Sequence, residues 1–110
     1  MPIDVAKELT FSGRILSGQN ARDLGLVTRV AETPLEAAMA LAKDIAGKSP
    51  DAIRFGKKLF EESWHADEAT GLAMESRLQT TLIGTENQVE AIKANFENRS
   101  PAFGPATLKA

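Results

Sequence analysis

Residues 6–30 read AKELTFSGRILSGQNARDLGLVTRV, and their order of elements decides how the rest of the chain is read. Ala6 and Leu9, with Val5 before them, make a short apolar stripe at helical spacing. Phe11 ends the run. Ser12-Gly13 breaks it, since glycine takes the left-handed conformation that closes a helix. Arg14 to Leu16 cross to a second element. Ser17 suits an N-cap, its hydroxyl accepting from amides two or three residues on. Ala21 and Leu24 give a short helix its inner face, and Gly25 suits the residue just past its end. Leu26, Val27 and Val30, with Thr28 and Arg29 between, predict a short strand with one buried side.

Outward from this stretch the chain reads as helices. Thr33-Pro34-Leu35-Glu36 has the pattern of a capping box with proline at the first helical position. The helix after it places Leu35, Ala38, Leu41, Ala42 and Ile45 on one face, and Gly47 stops it. Ser49-Pro50 starts another, whose predicted inner stripe is Ala52, Ile53, Gly56, Leu59 and Phe60, with Lys57, Lys58, Glu61 and Glu62 outside. Trp64 to Asp67 connect to a longer helix over residues 68–83, with Leu72, Met74, Leu78 and Leu82 as core candidates. Gly84 ends it. Thr85-Glu86-Asn87-Gln88 predicts a second capping box, and the last helix is expected to bury Val89, Ile92 and Phe96. From Ser100 onward, prolines and a glycine predict an extended tail.

Composition excludes several classes. The 110 residues fit one domain or part of one. Thirteen basic and fifteen acidic residues give a net charge of −2, which argues against nucleic acid or an anionic membrane as the main partner. No apolar run approaches the length of a membrane span, and the N-terminus lacks the basic-then-apolar order of a signal peptide. Without cysteine there is neither disulfide nor thiolate chemistry. A cytoplasmic location is the default expectation.

The succession of elements resembles the C-terminal part of the enoyl-CoA hydratase/isomerase (crotonase) family. The residues that carry the resemblance are Ala6-Lys7-Glu8-Leu9, Phe11-Ser12-Gly13-Arg14, Ala21 and Gly25-Leu26-Val27 with Val30. Further along they are Pro34-Leu35, Ala42, Ile45-Ala46, Ser49-Pro50-Asp51-Ala52, Lys57, Glu75, Gly84-Thr85-Glu86 with Glu90-Ala91, and Phe96-Glu97-Asn98-Arg99 with Pro101 and Phe103. The resemblance implies a mainly α fold: residues 1–110 as the helical C-terminal region of a crotonase-like (ClpP/crotonase) fold, with one short strand. Family members are more than twice this long, and their N-terminal half is a spiral of ββα units. That half carries the two amides that hold the thioester oxyanion and the acids that move protons, so no residue here is carried over as catalytic. The implied substrate is an acyl-CoA thioester, with no tightly bound cofactor and no metal. The implied partners are further copies of the chain, in trimers or hexamers.

The remaining candidates are weighed residue by residue. His65 is the only histidine. It could act as a base near neutral pH, but it has no partner at telling spacing and reads as a connector residue. Glu75 could transfer protons only if burial raised its pKa, and otherwise reads as a helix-surface carboxylate. Glu86, Glu90 and Glu97 lack the oxygen-rich companions a metal needs, so capping and a solvated face explain them. Leu9 and Phe11 could line an acyl pocket, with core packing as the default. Lys57, Lys58 and Arg99 are the best ligand contacts, because ammonium and guanidinium groups hold phosphate. In the family a basic residue near the end of the last helix reaches the adenosine phosphate of CoA bound to a neighbouring subunit. The family's Glu-Lys-Arg run reads Glu97-Asn98-Arg99 here, with asparagine in place of the lysine, so Arg99 would have to take over that contact. Arg99 and Lys57 are the implied CoA phosphate contacts, with solvated surface charge as the default reading.

Overall fold

The computed structural model describes residues 1–109, which fold as two compact units, Met1–Ala40 and Leu41–Ala110. Six helices follow in order: α1 (Ile3–Ser12), α2 (Gly18–Asp23), α3 (Pro34–Ala46), α4 (Pro50–Ser63), α5 (Glu68–Leu82) and α6 (Glu86–Phe96).

In the first unit the helix ends are set as the sequence predicts. Gly13 adopts φ 60°, and its amide donates to the Leu9 carbonyl at 3.0 Å, closing α1. Ser17 Oγ accepts from the Asn20 amide at 3.1 Å and caps α2. Gly25, at φ 74°, donates to Arg22 O at 2.9 Å, while Leu26 donates to Ala21 O at 2.8 Å. These two bonds are a Schellman closure. They also explain why the expected strand is absent. The Leu26 and Val27 amides both turn back to the Ala21 carbonyl, and among the described residues 26–30 no strand forms. A strand exists only as part of a ladder, and none is offered here. No residue of this unit is buried; Ile3, Phe11, Ile15, Leu35 and Met39 are exposed.

In the second unit α4 packs against α5 and α6. Ser49 caps α4, accepting from Ala52 N at 3.5 Å, with Pro50 in the first turn. Asp67 caps α5, its carboxylate taking both the amide and the hydroxyl of Thr70, at 2.8 and 3.0 Å. The core is Phe55, Met74 and Leu78, with Leu59, Leu82 and Leu108 packed against it. Each large apolar side chain so buried contributes about 1.5–3 kcal/mol.

Three expected faces are corrected. On α4 the inner line is Asp51, Phe55 and Leu59, four residues apart, whereas Ile53 and Phe60 are exposed. On α5 it is Gly71, Met74, Leu78 and Leu82, with Leu72 outside. On α6 Asn87, Ala91 and Ala94 face inward, and Val89, Ile92 and Phe96 are exposed. The cause on α6 is a polar anchor. Asn87 meets Asp51 of α4, and that contact fixes the helix's rotation. The α3 stripe from Leu35 to Ile45 is likewise exposed. The predicted capping box at α6 is displaced: Thr85 Oγ1 donates to Leu82 O at 2.7 Å, and Gln88 Oε1 takes the Gly84 amide at 3.1 Å. The tail beyond Ser100 has no helix or strand, as expected.

The energetic ranking of these residues is testable by chemical denaturation of the chain. Phe55→Ala should destabilise it by about 3–5 kcal/mol through the cavity it leaves. Asn87→Ala should cost about 1–3 kcal/mol by leaving buried partners unpaired. Phe96→Ser should stay within about 0.5 kcal/mol. A large loss from Phe96→Ser would mean that the exposed face of α6 stabilises the fold after all.

Candidate functional site

The end of α6 carries an exposed cluster of charge-assisted contacts centred on Arg99. Asn98 is at φ 50°, the left-handed position that asparagine tolerates best after glycine. Its amide donates to Asn95 O at 3.3 Å and the Arg99 amide donates to Ala94 O at 3.0 Å. This second Schellman closure folds residue 99 back over the helix. The Arg99 guanidinium then meets Glu90 in a fork, Nη1 to Oε1 at 2.5 Å and Nη2 to Oε2 at 3.1 Å. Its Nε donates to Glu97 at 2.5 Å, and Nη1 also donates to Ser100 O at 3.2 Å. Glu90 accepts the Ala102 amide as well, at 2.8 Å. Arg99 and the Ala102 amide hold the Glu90 carboxyl down at about 2, against an ordinary 4.5. Glu90 and then Glu97 raise the Arg99 pKa further still.

Lys57 lies elsewhere, on the outer ridge of α4. Its ammonium is 3.6 Å from Glu61, and Lys58 is 3.4 Å from Glu62. Arg54, Lys57, Lys58, Glu61 and Glu62 line an open depression of about 390 Å³. Arg99 lines a different one, of about 400 Å³, with Lys48, Ser49, Asn95, Pro101 and Phe103 among its walls. The two expected phosphate contacts are therefore not brought together.

The other candidates sort simply. Glu90 and Glu97 are engaged by Arg99, and Glu86 is exposed in the first turn of α6. Among the described residues no three His, Cys, Asp or Glu side chains are grouped to hold a metal. His65 is exposed on the connector between α4 and α5. Glu75 is at the rim of an apolar groove of about 270 Å³ that includes Phe55, Leu59, Leu78 and Leu82. Leu9 is half-buried and Phe11 exposed.

Sequence reasoning missed the buried pair of Asp51 and Asn87, which are 1% and 5% exposed. Asn87 Nδ2 donates to Asp51 Oδ2 at 2.9 Å. Asp51 Oδ1 accepts the amides of Thr107 and Leu108, at 3.0 and 3.1 Å. The Asn87 bond, then the backbone of Leu108, lowers the Asp51 pKa despite its burial. The one signal was spacing: Asp51 is four residues before Phe55 and so on its face.

Comparison with known proteins agrees with this architecture. Residues 1–106 match the family described as enoyl-CoA hydratase/isomerase. The mouse (Mus musculus) mitochondrial enoyl-CoA hydratase domain-containing protein 2 is 36% identical over 107 residues, covering 92% of this chain and 36% of the relative. Mouse mitochondrial methylglutaconyl-CoA hydratase is 34% identical over 107 residues, 92% of this chain and 34% of that protein. The crystal structure of enoyl-CoA hydratase from Bacillus anthracis superposes with a TM-score of 0.84 at 36% identity, covering 89% of this chain and 39% of that one. The chain belongs to the enoyl-CoA hydratase/isomerase family, and its fold is a mainly helical part of the crotonase-like fold. It spans about a third of the length of these two curated relatives.

The Arg99 clamp makes a pH prediction. Because the Glu90 pKa is depressed, its stabilising contribution is complete above the ordinary 4.5 and is lost as pH falls through about 2. An NMR titration of the Glu90 carboxyl should have its midpoint near 2, and Arg99→Gln should move that midpoint up. A midpoint at the ordinary value in the unmodified chain would contradict the clamp.

Proposed function

We propose that this chain is the C-terminal helical portion of an enzyme acting on acyl-CoA thioesters, with hydration of a 2-enoyl-CoA as the reaction. The observation that carries the reading is the family match over residues 1–106. The names of the two mouse relatives, both containing hydratase, support hydration over isomerisation. In such an enzyme pre-placed backbone amides stabilise the enolate-like oxygen as charge develops, without reorganising. We assign those amides and the proton-moving acids to the ββα spiral that precedes this region in the family, and no catalytic residue to this chain.

Lys57 and Arg99 are proposed as contacts to the phosphates of CoA. They differ in readiness. Lys57 is held by one exposed carboxylate at 3.6 Å, a weak tie in water. Arg99 has Nε and both terminal nitrogens engaged. It would have to exchange a carboxylate for phosphate, so Lys57 is the easier recruit. No tightly bound cofactor is proposed. The exposed Val89, Ile92 and Phe96 on one face of α6 support assembly with further copies, as a trimer or hexamer. The same exposed face favours a second reading, in which the chain is a non-catalytic assembly module of crotonase ancestry.

The test is a hydration assay with crotonyl-CoA and the purified 110-residue chain, followed through loss of the conjugated thioester absorbance, with light scattering on the same sample. Neither reading expects turnover. Turnover by this chain alone would overturn the assignment of the catalytic groups elsewhere. Assembly without CoA affinity would favour the module. CoA binding that is weakened about tenfold by Lys57→Ala would favour the enzyme reading.

A further inference from the structure

Residues 100–108 have no helix or strand, and none of their amides bonds to another backbone carbonyl within the segment. Side chains of the helices fasten it instead. Glu90 takes the Ala102 amide. Asn87 Oδ1 takes the Gly104 amide at 2.9 Å, and Asn87 Nδ2 reaches the Gly104 and Pro105 carbonyls at 3.2 and 3.4 Å. Asp51 takes the Thr107 and Leu108 amides. Arg54 Nη1 donates to Leu108 O at 3.3 Å, and the Leu108 side chain packs on the Phe55, Met74 and Leu78 cluster. The segment is thus fastened along its length, and Pro101 and Phe103 near its start form a wall of the depression beside Arg99.

A chain segment without internal bonds has no reason to open residue by residue once its shared clasp is broken. The clasp is one buried side-chain pair reached by five of the segment's backbone groups: the Gly104 amide and the Gly104 and Pro105 carbonyls at Asn87, and the Thr107 and Leu108 amides at Asp51. We infer that residues 100–108 form a strap that opens as a unit while α4, α5 and α6 stay folded, with Asp51 and Asn87 as its clasp. The depression beside Arg99 exists in full only while the strap is closed.

Hydrogen exchange on the full chain tests this. The amides of Gly104, Thr107 and Leu108 should exchange at a common rate, faster than those of Met74 and Leu78 in α5. In Asp51→Asn the side chain presents a donor where it previously only accepted. The three strap amides should then speed up by about tenfold or more, with the α5 amides within about twofold. Equal acceleration of strap and α5, or strap amides as slow as α5 in the unmodified chain, would overturn the inference. If Asp51→Asn does not fold, Thr107→Pro, at an exposed position, removes one donor from the strap alone, and the remaining Gly104 and Leu108 amides should show the same separation from α5. Loss of the whole fold from that change would also overturn it.

Discussion

A carboxylate buried without donors would be untenable, and Asp51 meets that constraint by drawing three parts of the second unit together. Its position in the first turn of α4 is set by Ser49 and Pro50, and the positive end of the helix favours an anion there. Its remaining donors come from elsewhere: the Asn87 amide on α6, and the backbone of Thr107 and Leu108. Satisfying one oxygen pair therefore fixes the rotation of α6 and the path of the tail. Asparagine is matched to this role. It donates to Asp51 and to two carbonyls while accepting from Gly104. An aspartate at 87 would set two carboxylates face to face and force a proton between them.

The Arg99 clamp depends on backbone geometry as much as on charge. The left-handed turn at Asn98 ends α6 and reverses the chain, so that Arg99 comes back to Glu90. Asn98 stands where the family's run has lysine. In this chain it supplies a conformation rather than a charge. The consequence for ligand chemistry is a trade. Arg99 has its donors occupied by Glu90 and Glu97, whereas Lys57 is tied to one exposed carboxylate at 3.6 Å.

Helix boundaries were legible in the sequence because their causes are local. Ser17, Ser49, Gly13, Gly25 and Gly84 each act on groups within a few residues, whereas the Asp67 cap of α5 read only as connector. Helix faces were not legible, because a face is defined by a partner. Periodicity correctly marked Val89, Ile92 and Phe96 as one stripe of α6, yet the stripe that packs is Asn87, Ala91 and Ala94. A polar residue at an inward position carries no hydrophobic signal, so Asn87 read as a cap component and Asp51 only as part of the family resemblance. The strand failed for a related reason: alternation in residues 26–30 describes a surface that would suit a sheet, but the amides were already committed to closing α2. The family resemblance was legible because it rests on the order of many local signals, not on which side each helix shows.

The inversion on α6 bears on what this region is for. A helix shaped only by its own chain would bury its largest apolar side chains, since apolar area removed from water contributes roughly 25 cal/mol per Å². Here the inward line is asparagine and alanine, and the large residues are outside, with Phe96 81% exposed. In the first unit the same holds for Phe11, Ile15 and Leu35. Such residues contribute nothing to the fold of the chain that carries them. On α6 the spacing is nevertheless regular, Val89, Ile92 and Phe96 falling at three- and four-residue steps. The inward face of α6 thus answers to hydrogen bonding and close helix approach. Under the reading proposed above, the apolar residues left outside would serve association with further copies, while Phe55, Met74 and Leu78 serve the chain's own core.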